Sequence, residues 1–185
     1  MTPVVQSVTD LFSFGIVVLG AASAVLFVIL ISPLKRRGWT RDVAEFIGER
    51  AILLSFIVSL VATLGSLFYS EIAGFPPCLL CWWQRIFLYP QVILLLTAFI
   101  KKDENIRLHS IILSSIGALI AIYHTFIQFG WESVLPCSAT GPSCSAFYFL
   151  EYGYVTVPTM SLTVFIVILL IMSAPNRKKR EVVEL

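Results

Sequence analysis

The stretch FPPCLLCWWQR (Phe75–Arg85) separates two apolar runs, residues 51–70 and 83–100. Each run is within the roughly 17–25 residues that a helix needs to cross a bilayer. Gly74 followed by Pro76-Pro77 ends the first run, because glycine accepts the turn after a helix and proline cannot continue one. The stretch therefore reads as the turn of a transmembrane hairpin. A Cys-x-x-Cys, two tryptophans and a single arginine are concentrated in that turn.

Three further runs of spanning length lie outside the hairpin, at residues 11–32, 108–128 and 157–174. Composition agrees: 58% of the 185 residues are hydrophobic and 13% charged. The mean hydropathy is +0.90. A soluble domain carries about a quarter of its residues charged, so the bilayer is the solvent for most of this chain. A net charge of +2 gives no footing for nucleic-acid binding. The first run lacks the positive n-region of a secretory signal, since residues 1–10 hold no Lys or Arg, and it reads as a retained span. The expected fold is an all-α polytopic membrane protein. It comprises a four-helix transmembrane bundle over 51–175, one additional N-terminal transmembrane helix with an amphipathic connector over 1–50, and a basic tail over 176–185.

The basic residues orient this path. Lys35, Arg36, Arg37, Arg41 and Arg50 follow the first span; Lys101, Lys102 and Arg107 follow the third; Arg177, Lys178, Lys179 and Arg180 follow the fifth. Every one of them falls on one side of an alternating five-span path, and Arg85 alone does not. Positive-inside reasoning makes that side cytoplasmic, with the N-terminus outside and the C-terminus inside. In the connector, Trp39, Val43, Phe46 and Ile47 recur at helical spacing, which predicts a helix on the cytoplasmic surface or a stalk continuous with the second span. Residues 146–154 (AFYFLEYGY) read as an aromatic interfacial segment leading into the last span.

Both cysteine pairs, Cys78/Cys81 and Cys137/Cys144, fall on the extracytoplasmic side, where bacterial proteins form disulfides. Cys78 is placed in the first turn of the third span, where free N–H groups and the helix dipole stabilise a thiolate. A disulfide closed across two residues there is either a passive staple or an electron-accepting bond, and so short a loop stabilises little as a staple. Arg85 lies one turn beyond Cys81. It either snorkels to headgroups or stabilises an anion near Cys81. His124 lies about 6 Å below the end of its span at ~1.5 Å per residue, so it shares a layer with Cys81 and Arg85. A lone membrane histidine more often packs than catalyses, but Gln84 and Gln128 add polar groups at similar depth. Such a layer suits a polar head on an apolar tail, which describes a quinone.

Cys137 and Cys144 enclose six residues with Gly141-Pro142 as turn formers. Three readings apply to them: a loop-stiffening disulfide, part of a four-cysteine zinc site, or the water-accessible end of a thiol–disulfide relay. The loose spacing and the oxidising compartment argue against zinc, and no metal is expected. In a relay, the loop pair suits electron entry and the pair beside Arg85 suits exit.

These residues resemble the DsbB family of quinone-linked membrane disulfide oxidases, including Bdb-type members. The resemblance rests on Cys78-x-x-Cys81 with Arg85 four positions on, Tyr123-His124-Thr125 with Gln128, the Cys137/Cys144 loop, and Gly153-Tyr-Val-Thr-Val-Pro158 before the last span. It covers about residues 51–175. It implies a bound quinone (ubiquinone or menaquinone) and a soluble thioredoxin-fold, DsbA-like thiol oxidase whose dithiol is reoxidised. By the resemblance, Cys137, paired with Cys144, receives electrons through a mixed disulfide with that partner. Cys78 exchanges with the loop pair, Cys81 faces the quinone, and Arg85 and His124 support the quinone head; Gln84, from its depth in the same layer, is a further candidate contact for it. The implied setting is the bacterial cytoplasmic membrane. The loop pair is more closely spaced than in the best-known members, and residues 1–50 lie outside the resemblance with no catalytic role assigned. The alternatives are a vitamin K epoxide reductase-like thiol/quinone reductase and a non-enzymatic scaffold braced by two disulfides. In the former family the loop cysteines precede the Cys-x-x-Cys; here they follow it.

Overall fold

The structure, a computed structural model, describes residues 2–31, 38–131, 137 and 142–175. Basic residues 35–37 and 177–180, the tail 176–185 and the loop turn at Gly141 lie outside the described residues.

Among the described residues six helices follow in order: α1 (Pro3–Ile31), α2 (Gly38–Glu49), α3 (Ala51–Leu67), α4 (Leu79–Lys101), α5 (Ile106–Gln128) and α6 (Val157–Ser173). The described residues hold no strand, only an isolated bridge between Glu151 and Val155. Helix α3 continues through a π-helical turn, Phe68–Ile72. With that extension, α1, α3, α4 and α5 are each long and apolar enough to cross a membrane. Helix α6 is apolar throughout and, with 17 residues, reaches the lower limit for a span. The chain is a multi-pass helical membrane protein, as its composition requires.

Helices α3–α6 close into a four-helix bundle, with α5 against α6 the most extensive pair, and α1 leans on α6 from outside. Lipid tails are as apolar as leucine, so such helices associate through close packing and buried polar pairs. The buried stripe of α5 begins Ser110, Ser114, Gly117, Ala118, Ala121, all small and at helical spacing. A Cβ on Gly117 would overlap the ring of Phe165, so glycine is what lets α6 approach there. Gln91 fills the polar niche beside this stripe. Its carbonyl accepts from Ser110 Oγ (2.8 Å) and Ser114 Oγ (3.2 Å), while its amide donates to the Phe87 carbonyl (2.9 Å). Both the carbonyl and the amino end of that buried amide are thereby engaged within the apolar layer.

At the basic end, Arg107 gathers three elements. Its guanidinium donates to the carbonyls of Met172 (3.4 Å) and Ala174 (3.1 Å) at the end of α6, and to the Gly48 carbonyl of α2. Carbonyls at helix C-termini carry partial negative charge, which suits a cation. The amphipathic connector forms α2 as expected. It is a separate helix rather than a stalk, because Arg50 breaks it from α3 with a non-helical backbone (φ −107°, ψ 13°). Its inward face is Thr40, Ala44, Glu45 and Gly48; Trp39 and Phe46 are exposed, as fits a helix lying at a membrane surface.

At the cysteine end, Gly74 takes φ +70° after the π-turn and releases the chain into Phe75-Pro-Pro. Segment 146–154 does more than lead into α6: it folds back over that turn. Tyr148 stacks on Phe75 (4.7 Å between ring centroids) and its hydroxyl donates to the Pro76 carbonyl (2.6 Å). Phe149 meets Tyr69 at 5.4 Å, which anchors the segment to the end of α3.

Candidate functional site

Proline 76 and 77 hold the chain extended, so α4 begins only at Leu79 and Cys78 becomes its N-cap (φ −73°, ψ 173°). The Cys78 Sγ accepts the Cys81 N–H at 3.4 Å, one of the orphan donors of the first turn. The two sulfurs are 2.9 Å apart and unbonded, so this pair is the dithiol. Cys78 is buried and Cys81 half-buried.

His124 lies on the buried stripe of α5, one turn beyond Ala121, and is 1% exposed. Its Nε2 is 3.1 Å from the Cys144 carbonyl and 3.6 Å from Cys78 Sγ; its Nδ1 is 3.1 Å from Gln84 Nε2. A carbonyl only accepts, so Nε2 carries the proton, and the Gln84 amide donates to Nδ1. The ring is therefore the neutral Nε2–H tautomer as these groups stand, with its N–H directed between Cys144 and Cys78. Cys78 is held well below the ordinary thiol range, first by the Cys81 side-chain hydrogen bond and then by His124, against the opposing effect of burial.

The loop pair comes to the same place. Cys137 and Cys144 are joined in a disulfide with Cα atoms 6.1 Å apart. Cys144 is 2% exposed and packs in one cluster with Cys78, Leu80 and Ile127, while Cys137 and Cys81 flank that cluster. Gln128 fixes the segment beyond Cys144 by donating to the Ala146 carbonyl (3.1 Å). The all-thiolate zinc grouping is not assembled, because two of its sulfurs are bonded to each other. Cys78, Cys81 and His124 do offer donor atoms within 4.8 Å of one another, three where structural zinc takes four.

Arg85 extends to the opposite side of α4. Its Nε donates to Ser66 Oγ and its Nη2 to the Ser66 carbonyl of α3, each at 3.1 Å. Trp82 and Tyr89 bracket the guanidinium at 5.2 and 5.9 Å from their ring centroids. The cation is thus pinned inward rather than released to a headgroup. Beside it opens a cavity of about 340 Å³ whose wall includes Cys81, Gln84 and Arg85 at one end. Leu88, Val61, Val58 and Leu19 make the wall apolar further along. Trp82 and Trp83 lie outside the bundle, about half exposed.

The structure thus divides the residues singled out in the sequence. Cys78, Cys144, His124 and Gln84 form one hydrogen-bonded and packed group, and Cys81, Arg85 and Gln84 border the cavity. Gln84 belongs to both. His124 is not on the cavity wall. Three contributors escaped the sequence reading. Ser66, an ordinary polar residue in an apolar run, anchors Arg85. Tyr148 and Tyr69 line the cavity's outer rim. A tyrosine among nine mostly aromatic residues carries no mark that separates it from an interfacial one.

A model of the family described as disulfide bond formation protein DsbB matches residues 48–174. The chain belongs to the DsbB family. Among DsbB-family relatives, the SPbeta prophage-derived disulfide bond formation protein B of Bacillus subtilis (strain 168) is 46% identical over 129 residues, 70% of this chain and 84% of its own. Disulfide bond formation protein C of the same strain is 39% identical over 129 residues, covering 69% and 93%. A probable disulfide formation protein of Metapseudomonas resinovorans is 36% identical over 129 residues, covering 69% and 90%. No solved structure matches the chain. Membership of the DsbB family makes this chain a membrane disulfide oxidoreductase acting in disulfide bond formation. The family match leaves out α1 and nearly all of α2.

Proposed function

We propose that the chain reoxidises a soluble thioredoxin-fold, DsbA-like thiol oxidase on the extracytoplasmic side of the bacterial cytoplasmic membrane, and passes the electrons to a membrane quinone. One observation carries the reading: His124 joins the two cysteine pairs on one side of α4, while Cys81 opens onto an apolar cavity with a cation on the other.

The relay balances as four exchanges. A partner thiolate attacks Cys137, the more accessible loop sulfur, forming a mixed disulfide and releasing Cys144 as thiolate. Cys144 attacks Cys78 of an oxidised Cys78–Cys81 bond, which frees Cys81. The partner's second thiolate resolves the mixed disulfide, and the Cys137 so released attacks Cys144 and expels Cys78. The loop disulfide is restored and Cys78/Cys81 hold the electron pair, the same combination of bonded and free cysteines seen here. The stabilised Cys78 thiolate is a good leaving group for the last exchange. His124 Nε2–H supports charge on whichever sulfur departs beside it, and Gln84 keeps the ring in that tautomer.

The cavity fits a quinone by the chemistry of its wall: polar side chains converge at one end, and the remainder is apolar. Bound there, a quinone supplies a two-electron, two-proton acceptor. Arg85 lends positive charge near Cys81 in a low-dielectric layer, and Gln84 offers an amide at the same end. The test is quinone reduction by purified protein with a reduced thioredoxin-fold dithiol. The expected result is stoichiometric loss of partner thiols with quinol formed; disulfide exchange without any quinol would remove the acceptor from this scheme.

A further inference from the structure

The cavity beside Cys81 is not enclosed by the family's helices alone. Leu11, Phe12, Gly15, Ile16 and Leu19, all of α1, form one of its walls. They lie outside the matched residues 48–174. These positions follow helical spacing along one face. Helix α1 rests against α6 and scarcely meets α3, which leaves a cleft between α1 and α3 with α6 behind it. At the outer rim the two sides of the cleft meet. There Phe12 sits where a Cβ on Gly65 would lie 3.3 Å from the ring, and meets Tyr69 at 6.2 Å between centroids. Below the rim, Leu19 lies about 10 Å deeper than Phe12 at ~1.5 Å per residue. The α3 residues at that depth, Ile57 and Val61, line the cavity and are also 47% and 48% exposed. The cavity therefore runs from a polar end at Ser66, Gln84 and Arg85 down an apolar slot that opens sideways between α1 and α3.

We infer that α1 is the missing wall of the acceptor site. The slot between α1 and α3 takes the isoprenoid tail of a lipid quinone and admits the molecule laterally from the bilayer. The inference rests on the quinone reading above and assigns α1 a specificity role rather than a chemical one. Gly15 is its most sensitive position. It lines the slot, and a Cβ added there meets nothing within 4 Å, so a larger side chain enters open space without forcing α1 off α6.

The test uses full-length protein and two photoreactive quinones, one labelled on the ring and one on the tail. Mass spectrometry of the crosslinked peptides gives the readout, alongside the amount of native quinone retained through purification. The expected result is ring labelling near residues 81–85 and tail labelling within residues 11–19. In Gly15→Leu, tail labelling and retained quinone should fall about fivefold or more, while Cys137/Cys144-to-Cys78/Cys81 exchange with a reduced partner in one turnover stays unchanged. Val18→Leu, on the exposed side of α1, should behave as wild type. Tail labelling confined to α3–α6, or a Gly15→Leu variant that keeps its quinone, overturns the assignment of α1 and leaves the quinone reading intact. Failure of both probes to label wild type overturns both. A uniform loss of thermal stability and of thiol exchange in Gly15→Leu would show a packing role for α1 instead.

Discussion

On one flank of the α4 N-terminus, His124 is buried at 1% exposure with a polar partner at each ring nitrogen, and two sulfurs of different pairs share its neighbourhood. On the other flank, Arg85 holds one serine and two aromatic rings beside about 340 Å³ of mostly apolar space. The same helical turn serves both because Cys78 lies beside His124 while Cys81, its sulfur 2.9 Å away, borders the cavity. The contrast teaches what each flank is built to handle. Thiol–disulfide exchange needs sulfurs held close and a charge stabilised briefly, which a hydrogen-bonded ring beside them provides. Holding an apolar molecule needs volume and a single polar landmark, which a cavity with one pinned cation provides.

The comparison breaks most completely at the sulfurs. Cys81→Ser and Cys137→Ser should each lower steady-state turnover to background, a loss of at least about 1000-fold, because each removes one end of the relay. Cys137→Ser should retain single-turnover oxidation of Cys78/Cys81 by added quinone; full turnover in either variant would sink the scheme. His124→Ala comes next. Exchange between the pairs, followed by rapid acid quench, should slow by about 100-fold or more while the quinone KM holds, since a positioned acid–base side chain contributes at least that much. A raised quinone KM instead would move His124 to the cavity flank.

Arg85→Ala should act on the other flank alone. Quinone KM should rise by about tenfold, the value of roughly 1.4 kcal/mol of lost interaction, with both disulfides still able to form. Unchanged kinetics would reduce Arg85 to a structural tie to Ser66. A pH profile sharpens the division further. Because the folded-state pKa of Cys78 is depressed, its thiolate persists as pH falls below the ordinary thiol value of about 8.5 and is lost only on further acidification. Alkylation of reduced protein by iodoacetamide should therefore continue into mildly acidic solution, and its midpoint should move upward in His124→Ala. An identical profile in both proteins would show that the Cys81 hydrogen bond alone depresses the Cys78 thiol. The smallest effect is expected from Tyr148→Phe, which removes the hydrogen bond to Pro76 over the rim. Its cost should be about 1 kcal/mol in thermal or denaturant unfolding, with exchange intact.

Much of this was written in local pattern. Five spanning segments, the surface helix α2 and the turn at Gly74 follow from hydropathy, helical period and the backbone demands of glycine and proline, all of which act within a few residues. The cysteine pairs and Arg85 stood out because charge and thiols are rare in an apolar chain. Partnership was different. That His124 sits between Cys78 and Cys144 depends on the rotation of α5, and period alone leaves that rotation free until Gly117 meets Phe165 and the small-residue stripe turns inward. That Arg85 points to Ser66 instead of to headgroups depends on how closely α3 approaches α4. The fold-back of Tyr148 and the slot beside α1 rest on contacts between segments far apart in the chain. Residue type and spacing settle which groups are present and at what depth, because the bilayer enforces both. Which groups meet is settled by helix rotation and separation, because those are set by packing summed over the whole bundle.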